Sequence, residues 1–337
     1  MRAILIVRLG ALGDIVHALP VAAALRERYP DARIDWVVDE RHLPLLELVS
    51  GLDHRIPLAS RSAGPIARIR RLRPTLRAAR YDLAVDVQGL LKSAVVARLS
   101  GAARILGFAR GALREPAARV LYTETCDPGP GRHVVDKNLA LAVAAGAAAG
   151  APRFPLEAPA SAALDAVRTT TGGRPFAVVN PGAAWPNKRW PPARFGALAR
   201  ALAVGRGLPV VVLWGPEDGA LAEAVVGAAD TDGVRQAPAT GLGDLAAILG
   251  AAALVVSGDT GPLHLAAALG TPVVALHGPT DPARNGPWSA ADVAVSRHGD
   301  CVCARRRRCR LATPCLEAIT VEMATAAVDR RLERVAW

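Results

Sequence analysis

Four short segments hold the residue types that move protons or grip phosphates. The first reads Arg8-Leu9-Gly10-Ala11-Leu12-Gly13-Asp14-Ile15. Two glycines three apart allow a tight turn and close approach of a ligand to the backbone. Asp14 then falls at or near a helix start. A carboxylate there either caps the helix, where Asp is favoured, or faces a ligand as a general base. Gly-x-x-Gly alone falls short of a dinucleotide fingerprint.

The second segment is Gly258-Asp259-Thr260-Gly261-Pro262-Leu263-His264. It follows an apolar run and opens a helical one. Backbone N–H groups at a helix start, with the helix dipole behind them, bind phosphate oxygens. Thr260 adds a hydroxyl donor. Asp259 suits a phosphate badly, so it either caps the helix or holds His264. Capping with a satisfied histidine fits the same spacing.

The third segment, Asn180 to Pro191, is rich in turn formers and carries Lys188 and Arg189. It is read as an anion clamp or as a solvated basic loop. The fourth, Trp214-Gly215-Pro216-Glu217-Asp218, places two acids at a turn. One acid is suited to ribose hydroxyls, and a helix start explains both equally well.

Around these lie two unusual stretches. Arg61, Arg68, Arg70, Arg71, Arg73, Arg77 and Arg80 crowd one segment, which Pro74 is expected to interrupt. This is a dock for a multiply anionic acceptor or membrane surface, or a solvated helix face. Cys301, Cys303, Cys309 and Cys315 cluster near the end. Their spacing matches no standard zinc motif, so no metal is expected.

The elements that position these groups follow a rhythm. Short β-branched runs are expected as strands at Ala3–Val7, Arg33–Val38, Asp82–Asp86, Phe176–Asn180, Pro209–Trp214, Ala253–Ser257 and Pro272–Leu276. Helical stretches separate them, the first expected from about Asp14 to Tyr29. Alternation of this kind predicts parallel sheets with helical crossovers. The Pro-rich stretch Ala151–Pro159 divides two such series. We expect an N-terminal domain over 1–153, a C-terminal domain over 154–319 and a final helix over 320–337. Thr320 is the expected N-cap of that helix, which is expected to pack back on the N-terminal domain. Ligands in such sheets sit at the carboxyl ends of the strands, here in a cleft between the halves.

Composition narrows the partners. Lys+Arg 41 against Asp+Glu 30 gives +11, which favours anionic ligands. Aromatics at 4%, without interleaved arginines, argue against nucleic acid. No apolar run reaches the roughly 18 residues that span a bilayer, and no secretory signal is read at the N-terminus. The expectation is a cytoplasmic protein.

Several strings together resemble the ADP-heptose:lipopolysaccharide heptosyltransferases of glycosyltransferase family nine. They are ILIVRLGALGDIVHALPV, DWVVDE (Asp35–Glu40), VDVQGLLKSA (Val85–Ala94), REP (Arg114–Pro116), NKRWPP and SGDTGPLHLAAALGTPVVALHGPTDP (Ser257–Pro282). The resemblance runs nearly end to end. DWVV, QGLLKSA and REP are more like heptosyltransferase I, and the Cys-rich tail is more like heptosyltransferase II and its relatives.

The resemblance implies a GT-B architecture, two Rossmann-like domains with parallel sheets facing a central cleft. It implies inverting transfer of heptose from an ADP-heptose donor to the Kdo2-lipid A inner core, without cofactor or obligatory metal. Contact with the cytoplasmic face of the inner membrane follows from such an acceptor. By the same resemblance Asp14 is the base. Lys188, Asp259, Thr260, Gly261 and His264 bind the donor, with Glu217 a looser match. Arg61, Arg68, Arg70, Arg71 and Arg114 belong to the acceptor side. A nucleotide-sugar-binding protein without transfer activity is the alternative of a different class.

Overall fold

The computed structural model describes residues 1–59, 64–303, 306–309 and 311–334. The chain divides into two compact units, Met1–Glu157 and Ala158–Trp337.

The first unit carries strands β1 (Ala3–Val7), β2 (Arg33–Asp39), β3 (His54–Leu58), β4 (Leu83–Asp86), β5 (Arg104–Phe108) and β6 (Glu124–Cys126). Its helices are α1 (Leu12–Val16), α2 (Leu19–Arg28), α3 (Leu43–Glu47), α4 (Pro65–Ala78), α5 (Leu91–Leu99) and α6 (Val134–Ala144). The second unit carries β7 (Ala177–Asn180), β8 (Val210–Val212), β9 (Val234–Gln236), β10 (Leu254–Gly258), β11 (Val273–His277) and β12 (Val293–Ser296). Its helices are α7 (Ala162–Thr170), α8 (Pro192–Gly205), α9 (Gly219–Ala229), α10 (Leu242–Ala251), α11 (Gly261–Ala268), α12 (Pro282–Asn285) and α13 (Val321–Leu332).

Both sheets are parallel throughout. The central strands β1, β4, β7, β10 and β11 are buried along their whole length. That burial explains their unbroken Val/Ile/Leu/Ala character, since helices cover both faces of a parallel sheet. The order is β3-β2-β1-β4-β5-β6 in one sheet and β12-β11-β10-β7-β8-β9 in the other. Counted within each unit, the two orders are the same. The direction of winding reverses between β1 and β4, and again between β7 and β10. Such a reversal splays the following loops apart and opens a crevice at the carboxyl ends of the strands.

Several boundaries differ from expectation. The helix expected from Asp14 to Tyr29 is two, α1 and α2, because Pro20 in the first turn of α2 lacks the N–H that would bond back to Val16. The break expected at Pro74 does not occur, and α4 runs through it. Arg70 and Pro74 are both exposed, so solvent has access to the carbonyl that proline leaves unpaired. The edge strands β3, β6, β9 and β12 carry no sequence signal strong enough to predict them. The unit boundary falls after Glu157 because residues 155–157 remain tied to the first unit. Ser50 N–H donates to Pro155 (3.0 Å) and Glu157 N–H to Leu48 (2.9 Å).

Thr320 caps α13 as expected, its hydroxyl accepting from Met323 N–H at 3.3 Å. This helix packs within the second unit. Ala324, Ala327 and Val328 join Leu316 and Ile319 in the core of the second unit, and α13 lies against α8, β11 and β12. Buried Arg331 explains the choice. Its Nε donates to Asp292 at 2.7 Å, and the same carboxylate accepts from Val273 N–H at 3.0 Å. The pair is 8% and 2% exposed, so either partner left alone would be a charge without solvent.

Arg331→Met should therefore destabilise the second unit by about 3–5 kcal/mol, read by urea unfolding. Arg206→Met breaks the more exposed pair with Asp329 and should cost under about 1 kcal/mol. Equal losses would contradict the assignment of Arg331 as the internal anchor.

Candidate functional site

In the second unit the switch point gathers the loops after β7, β10 and β11. Asp259 follows β10 directly and its side chain is 3% exposed. Three donors surround it. Lys188 Nζ, from the loop after β7, lies 2.5 Å from Oδ2. His264 Nε2, one turn into α11, lies 3.0 Å from Oδ1. Asn285 Nδ2, at the end of α12, donates to Oδ1 at 2.8 Å. Burial works against the Asp259 charge. The His264 hydrogen bond, with the nearby charges of His264 and Lys188, overcomes that penalty and holds the carboxyl well below the usual range.

The strand ends are locked together beneath this carboxylate. Asn180 Nδ2, at the end of β7, lies 3.0 Å from both Ser257 Oγ and Thr260 Oγ1. Thr260 is the residue before α11, so Asp259 is not the cap that one reading expected. Gly258 is required by close approach. A Cβ there would stand 2.7 Å from the Lys188 carbonyl oxygen. The loop carrying Lys188 thus passes directly over the end of β10.

Lys188 Nζ also lies 4.9 Å from the centre of the Trp185 ring. Arg189 pairs with Asp218 at 3.1 Å and donates to the Ala183 carbonyl at 2.9 Å. Asp218 is therefore occupied in bracing the loop, while Glu217 is exposed. The structure brings Lys188, Asp259, Thr260, Gly261 and His264 together and leaves Glu217 outside that cluster. Sequence reasoning missed Asn285. It lies in an unremarkable stretch, and only the fold returns α12 to Asp259.

In the first unit the equivalent switch point lies between the loops after β1 and β4. Ala11 is the residue before α1, and Asp14 sits three positions on. Asp14 Oδ2 accepts from Ala11 N–H at 3.3 Å and pairs with Arg8 Nη2 at 2.7 Å. The carboxylate thus supports its helix start from the third position and remains half exposed. Gln88, in the loop after β4, accepts from Leu9 N–H at 2.8 Å. Gln88 N–H and Gly89 N–H in turn donate to fully buried Asp86, at 2.9 and 3.1 Å. Ser93 Oγ (2.9 Å) and Tyr122 O–H (2.7 Å) complete its shell. Burial raises the Asp86 carboxyl above its usual value.

The expected basic residues diverge. Arg70, Arg71 and Arg114 are exposed. Arg68 is largely spent, because its Nε donates to the Ala59 carbonyl and Nη2 lies 3.7 Å from Asp39. Arg61 lies outside the described residues. In the tail, the Cys303 and Cys309 sulfurs approach to 3.4 Å. Burial, then the contact with Cys301, pushes the Cys315 thiol up to about 12. Among the described residues no group of three or more His, Cys, Asp or Glu side chains is arranged to hold a metal ion. No helix of the described residues is long and apolar enough to cross a membrane.

Two parallel units with the same winding, each presenting polar groups at its reversal, define the GT-B class of α/β proteins. The model of glycosyltransferase family 9 (heptosyltransferase) matches residues 69–313. The chain belongs to this family and is a glycosyltransferase. It is 30% identical over 318 residues to lipopolysaccharide heptosyltransferase 1 of Pseudomonas aeruginosa, covering 91% of this chain and 87% of that one. It is 29% identical over 297 residues to lipopolysaccharide heptosyltransferase 2 of Escherichia coli K12, covering 83% of each. The solved structure of E. coli heptosyltransferase WaaC with ADP superposes with a TM-score of 0.76 at 25% identity, covering 98% of both chains.

A pH dependence follows from His277, at the end of β11. It is fully buried and its Nε2 has no hydrogen-bond partner. Burial pushes the imidazole down from 6.5 to about 4, although nearby Asp259 pulls the other way. The unfolded chain therefore binds the extra proton between these values. This contribution to stability is complete above about pH 6.5 and is lost as the pH falls towards 4. Between pH 7.5 and 5 the loss should be about 2 kcal/mol. His277→Gln should flatten that slope in urea titrations, and an unchanged slope would assign the dependence elsewhere.

Proposed function

We propose that this protein transfers heptose from ADP-heptose to the Kdo2-lipid A inner core, with inversion, in lipopolysaccharide core biosynthesis. The observation that carries the reading is the cluster of Lys188, Thr260 and the N-terminus of α11 around a carboxylate held ionised. A diphosphate needs a cation, a hydroxyl and free backbone N–H groups, and this cluster supplies all three. The likeness to lipopolysaccharide heptosyltransferase 1 over 91% of the chain supports the choice of sugar and acceptor.

In this reading Asp14 takes the proton of an acceptor hydroxyl. That oxygen forms a bond to the anomeric carbon on the face opposite the diphosphate. The bond from the anomeric carbon to the diphosphate oxygen breaks, and ADP leaves with its electron pair. Lys188, Thr260 and the start of α11 receive the developing negative charge, which is preorganised electrostatic stabilisation. Lys188 stands beside Asp259, so an arriving diphosphate shares a lysine that is already in place. Asp259 and His264 position it. Exposed Arg70, Arg71 and Arg114 attract the anionic acceptor and the anionic membrane surface that displays it.

The test is ADP release with ADP-heptose as donor. Release with Kdo2-lipid A alone supports the first transfer of the series. Release only with the mono-heptosylated core moves the assignment to the second. No release with either acceptor overturns the proposal. Asp14→Ala should lose about 10²–10⁴ in turnover with ADP binding intact. Lys188→Ala should weaken ADP binding and turnover together. Near-normal turnover in the first variant, or unchanged ADP affinity in the second, would refute the corresponding role.

A further inference from the structure

We infer that Arg8 is the positioning residue of Asp14: it holds one carboxylate oxygen, Oδ2, and so leaves Oδ1 as the oxygen that takes the acceptor proton. The inference rests on the reading of Asp14 as the base.

Arg8 sits one residue beyond β1, and its own backbone is fixed. Its N–H donates to the Val37 carbonyl at 3.3 Å, and its carbonyl accepts from Trp36 Nε1 at 3.1 Å. The side chain is only 11% exposed, whereas Asp14 is 50% exposed. The guanidinium spans the two loops of the switch point. Nη1 donates to the Val87 carbonyl, just past β4, at 3.1 Å, and Nη2 reaches Asp14 Oδ2 at 2.7 Å. Its Nε is buried with no partner.

Stability gives no reason for this arrangement. A half-exposed ion pair contributes little, and a buried N–H without an acceptor is unfavourable. Orientation gives a reason. Asp14 stands on α1, a helix of five residues, so little else fixes its rotamer. The planar guanidinium, braced against the β4 loop, fixes the position of Oδ2. Both hydrogen-bonding contacts of Asp14 fall on Oδ2. Oδ1 has no partner among the described residues, so a substrate hydroxyl meets it without displacing Arg8. General-base transfer requires such a reach and orientation before basicity matters. The ring of His42 lies beside Gly10 in this loop, and burial holds its imidazole below the usual value.

The test compares Arg8→Ala, Arg8→Lys and Asp14→Asn, with ADP-heptose and Kdo2-lipid A as substrates. Arg8→Ala should lower kcat about 10- to 100-fold with ADP affinity and thermal midpoint little changed. Arg8→Lys, which keeps the charge but cannot bridge Val87 and Asp14 as the guanidinium does, should recover part of the loss. Added guanidinium ion should partly rescue Arg8→Ala and leave Asp14→Asn unaffected. If Arg8→Ala fails to fold, the lysine variant and its kcat against KM carry the test. A kcat within twofold of wild type in Arg8→Ala, or in Arg8→Lys where that variant stands alone, overturns the inference. So does loss confined to KM. Activity retained in Asp14→Asn instead overturns the base reading itself, so the two failures are distinct.

Discussion

The second unit is organised around one buried carboxylate. An unpaired charge at Asp259 would be prohibitively unfavourable in a site only 3% exposed. Its ionised form therefore requires donors, and those donors come from three separate connections, at Lys188, His264 and Asn285. Much of the local chain follows from that requirement. The β7 loop must cross the end of β10 to deliver Lys188, which is why Gly258 has no side chain. Helix α11 must begin immediately after Asp259 so that His264 returns one turn later. Helix α12 must turn back to present Asn285.

The first unit repeats the geometry with different chemistry. Asp86 ends β4 as Asp259 follows β10, each on the fourth strand of its unit. Asp86 has only neutral donors, two backbone N–H groups and two hydroxyls. Burial therefore dominates and its carboxyl is raised, whereas the cations around Asp259 reverse that outcome. The contrast separates two uses of one position. Asp86 is a structural node that sets Gln88, and through Gln88 the loop holding Asp14. Asp259 keeps a buried charge, with a lysine beside it.

The sequence made β1, β2, β4, β7, β8, β10 and β11 legible because burial leaves an apolar run, whereas inner strand β5 was missed because Arg104 and Gly107 break its run. It made Asp14, Lys188 and the 258–264 stretch legible because Gly, Asp, Thr and Lys cluster at strand ends. Edge strands such as β9 (Val-Arg-Gln) were not legible, since half-exposed three-residue strands carry no pattern. Arg68 read as a free cation because pairing with Asp39 is a tertiary fact across 29 positions. Glu217 and Asp218 were indistinguishable as neighbours in a turn. Only the close packing of Asp218 on Gly182 and its pair with Arg189 divide their roles.

The segment after β12 extends this logic. The loop that bears Lys188 is held on both sides by segments more than a hundred residues later. Asn187 Nδ2 donates to the Arg306 carbonyl at 2.8 Å, and Trp190 Nε1 to the Ile319 carbonyl at 2.9 Å. Trp190 is fully buried edge-on against Phe195, with ring centres 5.0 Å apart. Arg194 adds a bond to the Ile319 carbonyl at 2.7 Å. At the end of β11, Gly278 leaves room for Cys315 and Leu316, which a Cβ would crowd at 3.3 and 3.1 Å. A side chain that serves any ligand gains nothing from a mobile loop, since ordering it on binding would oppose affinity. The Cys-rich segment and α13 supply that order in advance. They are therefore part of the framework that fixes the Lys188 loop.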